Sequence, residues 1–146
     1  MITHTEEICL DSTEKTDFID VTDFVKNTVE ESKCNMGICN IYTQHTTTAI
    51  RINENEKGLM KDIRCFLETK VPPFNEYQHD DIDRRKDTPP DEPCNAHSHL
   101  KSLILGASES LPIIKNNIAL GKWQRVFFVD LDGPRKRKMI IQIIGK

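Results

Sequence analysis

No Cys-x-x-Cys pair occurs among the five cysteines Cys9, Cys34, Cys39, Cys65 and Cys94. That excludes a zinc ribbon or disulfide scaffold and leaves an odd set of reduced thiols. No apolar run approaches the roughly 20 residues of a membrane helix, and Met1-Ile2-Thr3-His4-Thr5-Glu6-Glu7 lacks the basic start and apolar centre of a signal peptide. A basic excess is missing as well. The formal charge is -3, which argues against general nucleic-acid affinity. Without a Gly-x-Gly-x-x-Gly run, a phosphate loop or an internal repeat, neither a dinucleotide fold nor a solenoid is supported. The expectation is a cytoplasmic protein with one domain over 1–146, long enough to bury about two-thirds of its unfolded surface.

What is present is a mixture of strand and helix signals. Strands are expected at 2–10, 18–21, 38–43, 47–52, 111–115, 123–131 and 139–144, from alternation and β-branched content. Thr22 or Asp23 can cap a helix running to Lys33, with Phe24, Val25 and Val29 facing inward and Gly37 ending the unit. Leu59, Ile63, Phe66 and Leu67 repeat at helical spacing over 56–70, until Val71-Pro72-Pro73 stops them. Residues 74–94 read as a long surface loop. A third helix over 96–105 starts from Asn95 as N-cap and carries an apolar stripe of Leu100, Leu103 and Ile104. Neighbouring strands are tightly connected, so the fold class is α+β, with mostly antiparallel sheet layers and about three helices.

The chemistry concentrates in Asn95-Ala96-His97-Ser98-His99-Leu100-Lys101, which holds two of five histidines and then a lysine. On a strand His97 and His99 would share a face, but on a helix they sit roughly 200° apart, so a two-histidine chelate is disfavoured and further ligands must come from elsewhere. Cys94 stands close by, either as a ligand or as a small buried residue.

His45 lies among Gln44, Thr46, Thr47 and Thr48, with Glu54 downstream. This is either an anion or metal-water site with Glu54 as base, or a threonine-rich sheet edge. His79, beside Asp80 and Asp81, is either a ligand in a hard-metal cluster or part of a solvated loop. Arg135, after Asp132-Gly133-Pro134, can grip a phosphate with its planar fork, or belong with Lys136, Arg137 and Lys138 to a charged sheet edge. Trp123 is set for core packing or for stacking on a ring.

Assembled in order, Gln44-His45-Thr46-Thr47-Thr48-Ala49, Ile52-Asn53-Glu54-Asn55, Tyr77-Gln78-His79-Asp80-Asp81, Ser98-His99-Leu100-Lys101-Ser102, Gly106-Ala107-Ser108, Gly121-Lys122-Trp123-Gln124 and Asp132-Gly133-Pro134-Arg135 resemble the YjbQ family. These small proteins are often labelled secondary thiamine-phosphate synthases. The resemblance implies an α+β homotrimer, while charge and hydropathy give the expectation of no nucleic-acid or membrane partner. It also implies a divalent metal, zinc or magnesium, on His45, His79 and His99, with an open position.

Glu54, Asp80 and His97 are the catalytic candidates that accompany this reading. Thr46, Lys101, Ser108, Trp123, Gln124 and Arg135 are the candidates for contact with a small phosphorylated metabolite. The implied activity joins an aminopyrimidine diphosphate to a thiazole phosphate and releases pyrophosphate. The metal, Lys101 and Arg135 would neutralise the leaving group, and Trp123 would hold the pyrimidine. The alternatives are a metal-assisted phosphate-ester hydrolase and a non-catalytic metabolite-binding protein.

Overall fold

Val126-Phe127-Phe128-Val129 is apolar at every position, the mark of a strand covered on both faces. In the computed structural model, which describes residues 1–86 and 88–146, this run is the centre of a strand spanning Gln124–Asp130. In chain order the elements are β1 (Ile2–Asp11), β2 (Asp17–Asp20), α1 (Thr22–Ser32), β3 (Met36–Thr43), β4 (Thr48–Glu54), α2 (Lys57–Lys70), a 3-10 turn (Gln78–Asp80), α3 (Ala96–Leu105), β5 (Ser108–Ile114), β6 (Asn117–Ile118), β7 (Gln124–Asp130) and β8 (Lys136–Gly145). One sheet has the order β1-β8-β3-β5-β6 and the other β2-β7-β4. Every pairing is antiparallel, so the expected α+β class holds.

Side chains of β7 feed two cores because successive residues point to opposite faces. Val126 and Phe128 pack with Ile41, Ile50, Met139, Ile141 and α1, between the two sheets. Phe127 and Val129 pack with Leu67 and the inner sides of α2 and α3. Burying one such side chain is worth about 1.5–3 kcal/mol, which makes the two-sided strand the backbone of the fold.

Several details depart from the sequence expectation. Phe24 and Phe66 are 46% and 55% exposed, so α1 and α2 bury narrower stripes than their periodicity suggests. Asp20 rather than Thr22 or Asp23 accepts from the first helical N–H, that of Thr22, at 3.0 Å. Lys33, at φ 55°, ends α1. Gly37 instead lies inside β3 opposite Gly145, where a Cβ would come within 2.8 Å of the Gly145 Cα.

Helix α3 is turned over. Leu100, Leu103 and Ile104 face outward, while Ala96, His97, Ser98, Lys101 and Ser102 are buried. The small serines explain this. Ser98 donates to the Leu131 carbonyl at 2.5 Å and Ser102 to the Thr48 carbonyl at 2.6 Å, letting the helix sit close on β4 while satisfying carbonyls beyond the strand edge.

Candidate functional site: a histidine cleft where the sheets exchange strands

The chain passes between the sheets six times, and three of these crossings follow β1, β3 and β7. Register puts these three at one end. Asp11 pairs with Lys136 and Thr43 with Met139, while Asp130 faces both Asp17 and Thr48. Loops here are held by strands on either side, so side chains from distant segments meet.

A cleft of about 390 Å3 opens at this end, lined by residues that include His45, Thr46, His79, Glu92, Asn95, His99, Asp132, Arg135 and Arg137. His45 comes from the β3–β4 connection, His79 from the 3-10 turn, His99 from α3 and Arg137 from β8.

Within the cleft the rings of His79 and His99 meet edge to face with centroids 4.8 Å apart. His79 Nε2 lies 3.2 Å from the Asn95 side-chain oxygen, which can only accept, so this nitrogen carries the proton. The Asn95 amide donates to Asp132 at 2.8 Å, which fixes its orientation. Asn95 thus links a histidine to a carboxylate instead of capping α3 with its side chain. That cap is supplied by Asp80, whose carboxylate accepts from Ala96 N–H at 2.9 Å.

Glu92 sits 3.7 Å from His79 Nε2. A hydrogen bond from Arg85 holds the Glu92 carboxyl below its ordinary value. Burial lowers His99, and the neighbouring His79 pushes the same way. His45 is lowered by burial and by Arg137. Its Nε2 accepts from Lys138 N–H at 3.0 Å, which places the proton on Nδ1.

Behind the cleft, Arg137 closes a two-bond fork on fully buried Asp130, at 2.9 and 2.8 Å. It also donates to Thr47 at 3.1 Å. Burial would raise the Asp130 carboxyl, but bonds from Arg137, Ser12 and Asp132 N–H outweigh it and hold the group below its ordinary value. Nearer the surface, Arg135 pairs with Asp132 at 2.9 Å.

The structure therefore brings His45, Thr46, His79, His99 and Arg135 to one cleft and leaves the other sequence candidates off its lining. Glu54 lies at the opposite end of β4 from Thr48, because a strand advances about 3.4 Å per residue. Ser108 starts β5 on the exposed side. Trp123 is 64% exposed, with Lys122 over its ring, and Gln124 accepts from Gly121 N–H in the same turn. Asp80 is engaged as a helix cap, and Cys94 is exposed. His97 and Lys101 project from the other side of α3 into a separate pocket.

Glu92, Asn95, Asp132 and Arg137 are the cleft residues that sequence reasoning did not assign to the site. The available hints were the place of Asp132 and Asn95 in motifs already singled out, of Arg137 in the basic run, and of Glu92 in the loop that leads into α3.

The donor set suits a divalent ion chemically, with neutral imidazoles beside carboxylates. Among the described residues, however, His45, His79 and His99 do not form a group with ligand atoms within 4.8 Å of one another. The one group that meets this criterion is His4, Glu6 and Glu31, none of which lines the cleft.

A two-sheet α+β domain with a histidine and arginine cleft at the strand-exchange end defines the structural class. The chain belongs to the UPF0047 protein YjbQ-like family, whose model matches residues 6–146. It is 39% identical over 146 residues to a UPF0047 protein of Methanothermobacter thermautotrophicus, covering 100% of this chain and 95% of that one. A UPF0047 protein of Archaeoglobus fulgidus is 40% identical over 138 residues, covering 94% and 99%.

A crystal structure described as a YbjQ-like protein of unknown function from Sulfolobus solfataricus superposes with a TM-score of 0.89 at 34% identity, covering 99% of this chain and 98% of that one. A hypothetical protein from Aeropyrum pernix gives a TM-score of 0.87 at 31% identity, covering 98% and 99%. These findings overturn the expectation of thiamine-phosphate synthase activity. The family is one of unknown function, and the names of these relatives carry no such reaction. Among the described residues, no helix is long and apolar enough to cross a membrane.

Proposed function

We propose that the cleft is a divalent-metal-dependent binding site for a small phosphate-bearing anion. The charge balance carries this reading. The lining offers two carboxylates, Glu92 and Asp132, and two guanidiniums, Arg135 and Arg137, so with neutral histidines its formal charge is zero. Asp130 behind it already occupies Arg137. An anion gains little in such a site until a cation is added.

His79 and His99, with Glu92, are the residues that would hold the ion. Side-chain rotation has to bring their ligand atoms together. When bound, the metal supplies positive charge and a coordination position for an oxyanion. Asn95 orients His79 through its hydrogen bond, and Arg135, held by Asp132 through Nε and one terminal nitrogen, has its other terminal nitrogen for the anion. His45 takes part as a donor through Nδ1, because Lys138 N–H engages its Nε2.

The test is calorimetry with zinc and then inorganic phosphate, in a His4→Ala background so that the second cluster does not mask the result. Expected outcomes are phosphate binding only after zinc and loss of both in His99→Ala. Phosphate binding that survives chelation, or zinc binding unchanged by His99→Ala and His79→Ala, overturns the reading.

The homotrimer belongs to this proposal. It is supported by Met36, Ile38, Tyr42, Ile114 and Ile144, which lie on the outward side of β3, β5 and β8 at 42–57% exposure. An apolar face of that kind favours association with further copies. Light scattering reads the mass, and a monomer at micromolar concentration overturns this part alone.

A further inference from the structure

Residues four apart on a helix share a face, whereas residues two apart do not. His97 and Lys101 therefore point away from His99, and α3 stands as a wall between the cleft and a second pocket of about 390 Å3. Its lining includes Lys15, Arg64, Glu68, Phe74, His97 and Lys101.

Two of these side chains are deeply buried and unpartnered. His97 is 4% exposed, and its Nδ1 has no hydrogen-bond partner among the described residues. Lys101 is 3% exposed and makes neither a hydrogen bond nor an ion pair among the described residues. Buried polar groups are otherwise nearly always satisfied, and ammonium groups above all. The two residues are adjacent on one helix face and line one pocket.

We propose that this pocket is a second ligand site, taking a small organic monocarboxylate with an apolar body. Its carboxylate accepts from the Lys101 ammonium beside His97, and its apolar body lies against Pro73 and Phe74.

The charges select a monoanion. Arg64 is already committed to Glu14 at 3.3 Å, to the Thr16 carbonyl and to the Phe18 ring at 5.1 Å. Lys15 and Lys101 then face Glu68 alone, an excess of one positive charge. One carboxylate balances it, whereas a phosphate dianion overshoots. Phe74, 93% exposed at the pocket, gives an aromatic surface with nothing on it.

The test uses benzoate as probe, followed by NMR of labelled lysine and histidine side chains in chelator-treated protein. Saturable shifts of His97 and Lys101 are expected, with affinity at least about tenfold weaker in Lys101→Met, the loss of one charged hydrogen bond. Acetate should bind more weakly than benzoate. Shifts confined to other residues, affinity unchanged in Lys101→Met, phosphate outcompeting benzoate, or no saturation each overturn the proposal. Should Lys101→Met not fold, the wild-type shifts and Phe74→Ala, expected to weaken benzoate but not acetate, decide it. Binding here persists under chelation and in His99→Ala, so its failure and that of the metal cleft are read separately.

Discussion

Arg137 and Asp130 form a buried two-bond ion pair between the second residue of β8 and the last residue of β7, with 7% and 0% of their side chains exposed. It joins one sheet to the other at the floor of the cleft. Removing one partner of such a pair costs about 3–5 kcal/mol, because the remaining charge stays buried alone. Asp130→Asn is expected to lose that much in urea unfolding. The double change Asp130→Asn with Arg137→Met should recover a large part of it, and a double variant no more stable than the single one argues against charge isolation as the cause.

Asn95 bridges His79 and Asp132. In Asn95→Ala, His79 loses the acceptor that keeps its proton on Nε2. Nitrogen NMR of the imidazole should show a shift toward mixed tautomers, with zinc affinity reduced by about 10- to 100-fold, the usual effect of losing a partner to a metal-binding histidine. An unchanged tautomer in the variant refutes the orienting role.

Acidification is expected to destabilise the fold in a definite window. His45, His97 and His99 are all held below their ordinary value of 6.5, with burial the first cause in each. Each binds a proton less readily folded than unfolded. The stability they contribute is therefore present above about pH 6.5 and lost as pH falls through their folded values. Melting temperature should decline between about pH 7 and about pH 5, before the carboxylates titrate. A flat profile over that interval contradicts the direction of these shifts.

Thiol reactivity should divide three against two. Cys9, Cys65 and Cys94 are exposed, whereas Cys34 and Cys39 are buried. Burial pushes the Cys39 thiol up to about 12. A chromogenic disulfide reagent should titrate three groups in native protein and five after denaturation, and rapid reaction of all five contradicts the packing.

Gly37 and Gly145 face each other across β3 and β8, and a methyl on either would come within 2.8 Å of the other's Cα. Gly37→Ala has to push two paired strands apart. Its unfolding free energy should fall by about 1–3 kcal/mol, as for overpacking elsewhere. A melting point equal to wild type would show that the strands yield freely.

The elements that could be read from the sequence are those with local signals. The unbroken apolar run of β7 marks a doubly covered strand, and Pro72-Pro73 marks the end of α2. The orientation of α3 was not legible. Its buried face is built from Ser98 and Ser102, whose value lies in carbonyls of Leu131 and Thr48 that only the folded chain supplies. A run of four basic residues looks solvated, yet Arg137 is the one that turns inward to Asp130. His45, His79 and His99 were legible as separate signals, whereas Glu92 was not, since an acidic loop does not reveal which carboxylate faces a histidine.

The pairing of β1 with β8 has a consequence for how the chain is made. Glu7 and Lys138 are ion-paired although 131 residues apart, and among the described residues β1 has β8 as its only neighbour in the sheet. On the ribosome, β1 emerges early and has no partner strand until β8 follows. The pairing of β1 is therefore a contact of long sequence separation, the kind that forms late and slows folding.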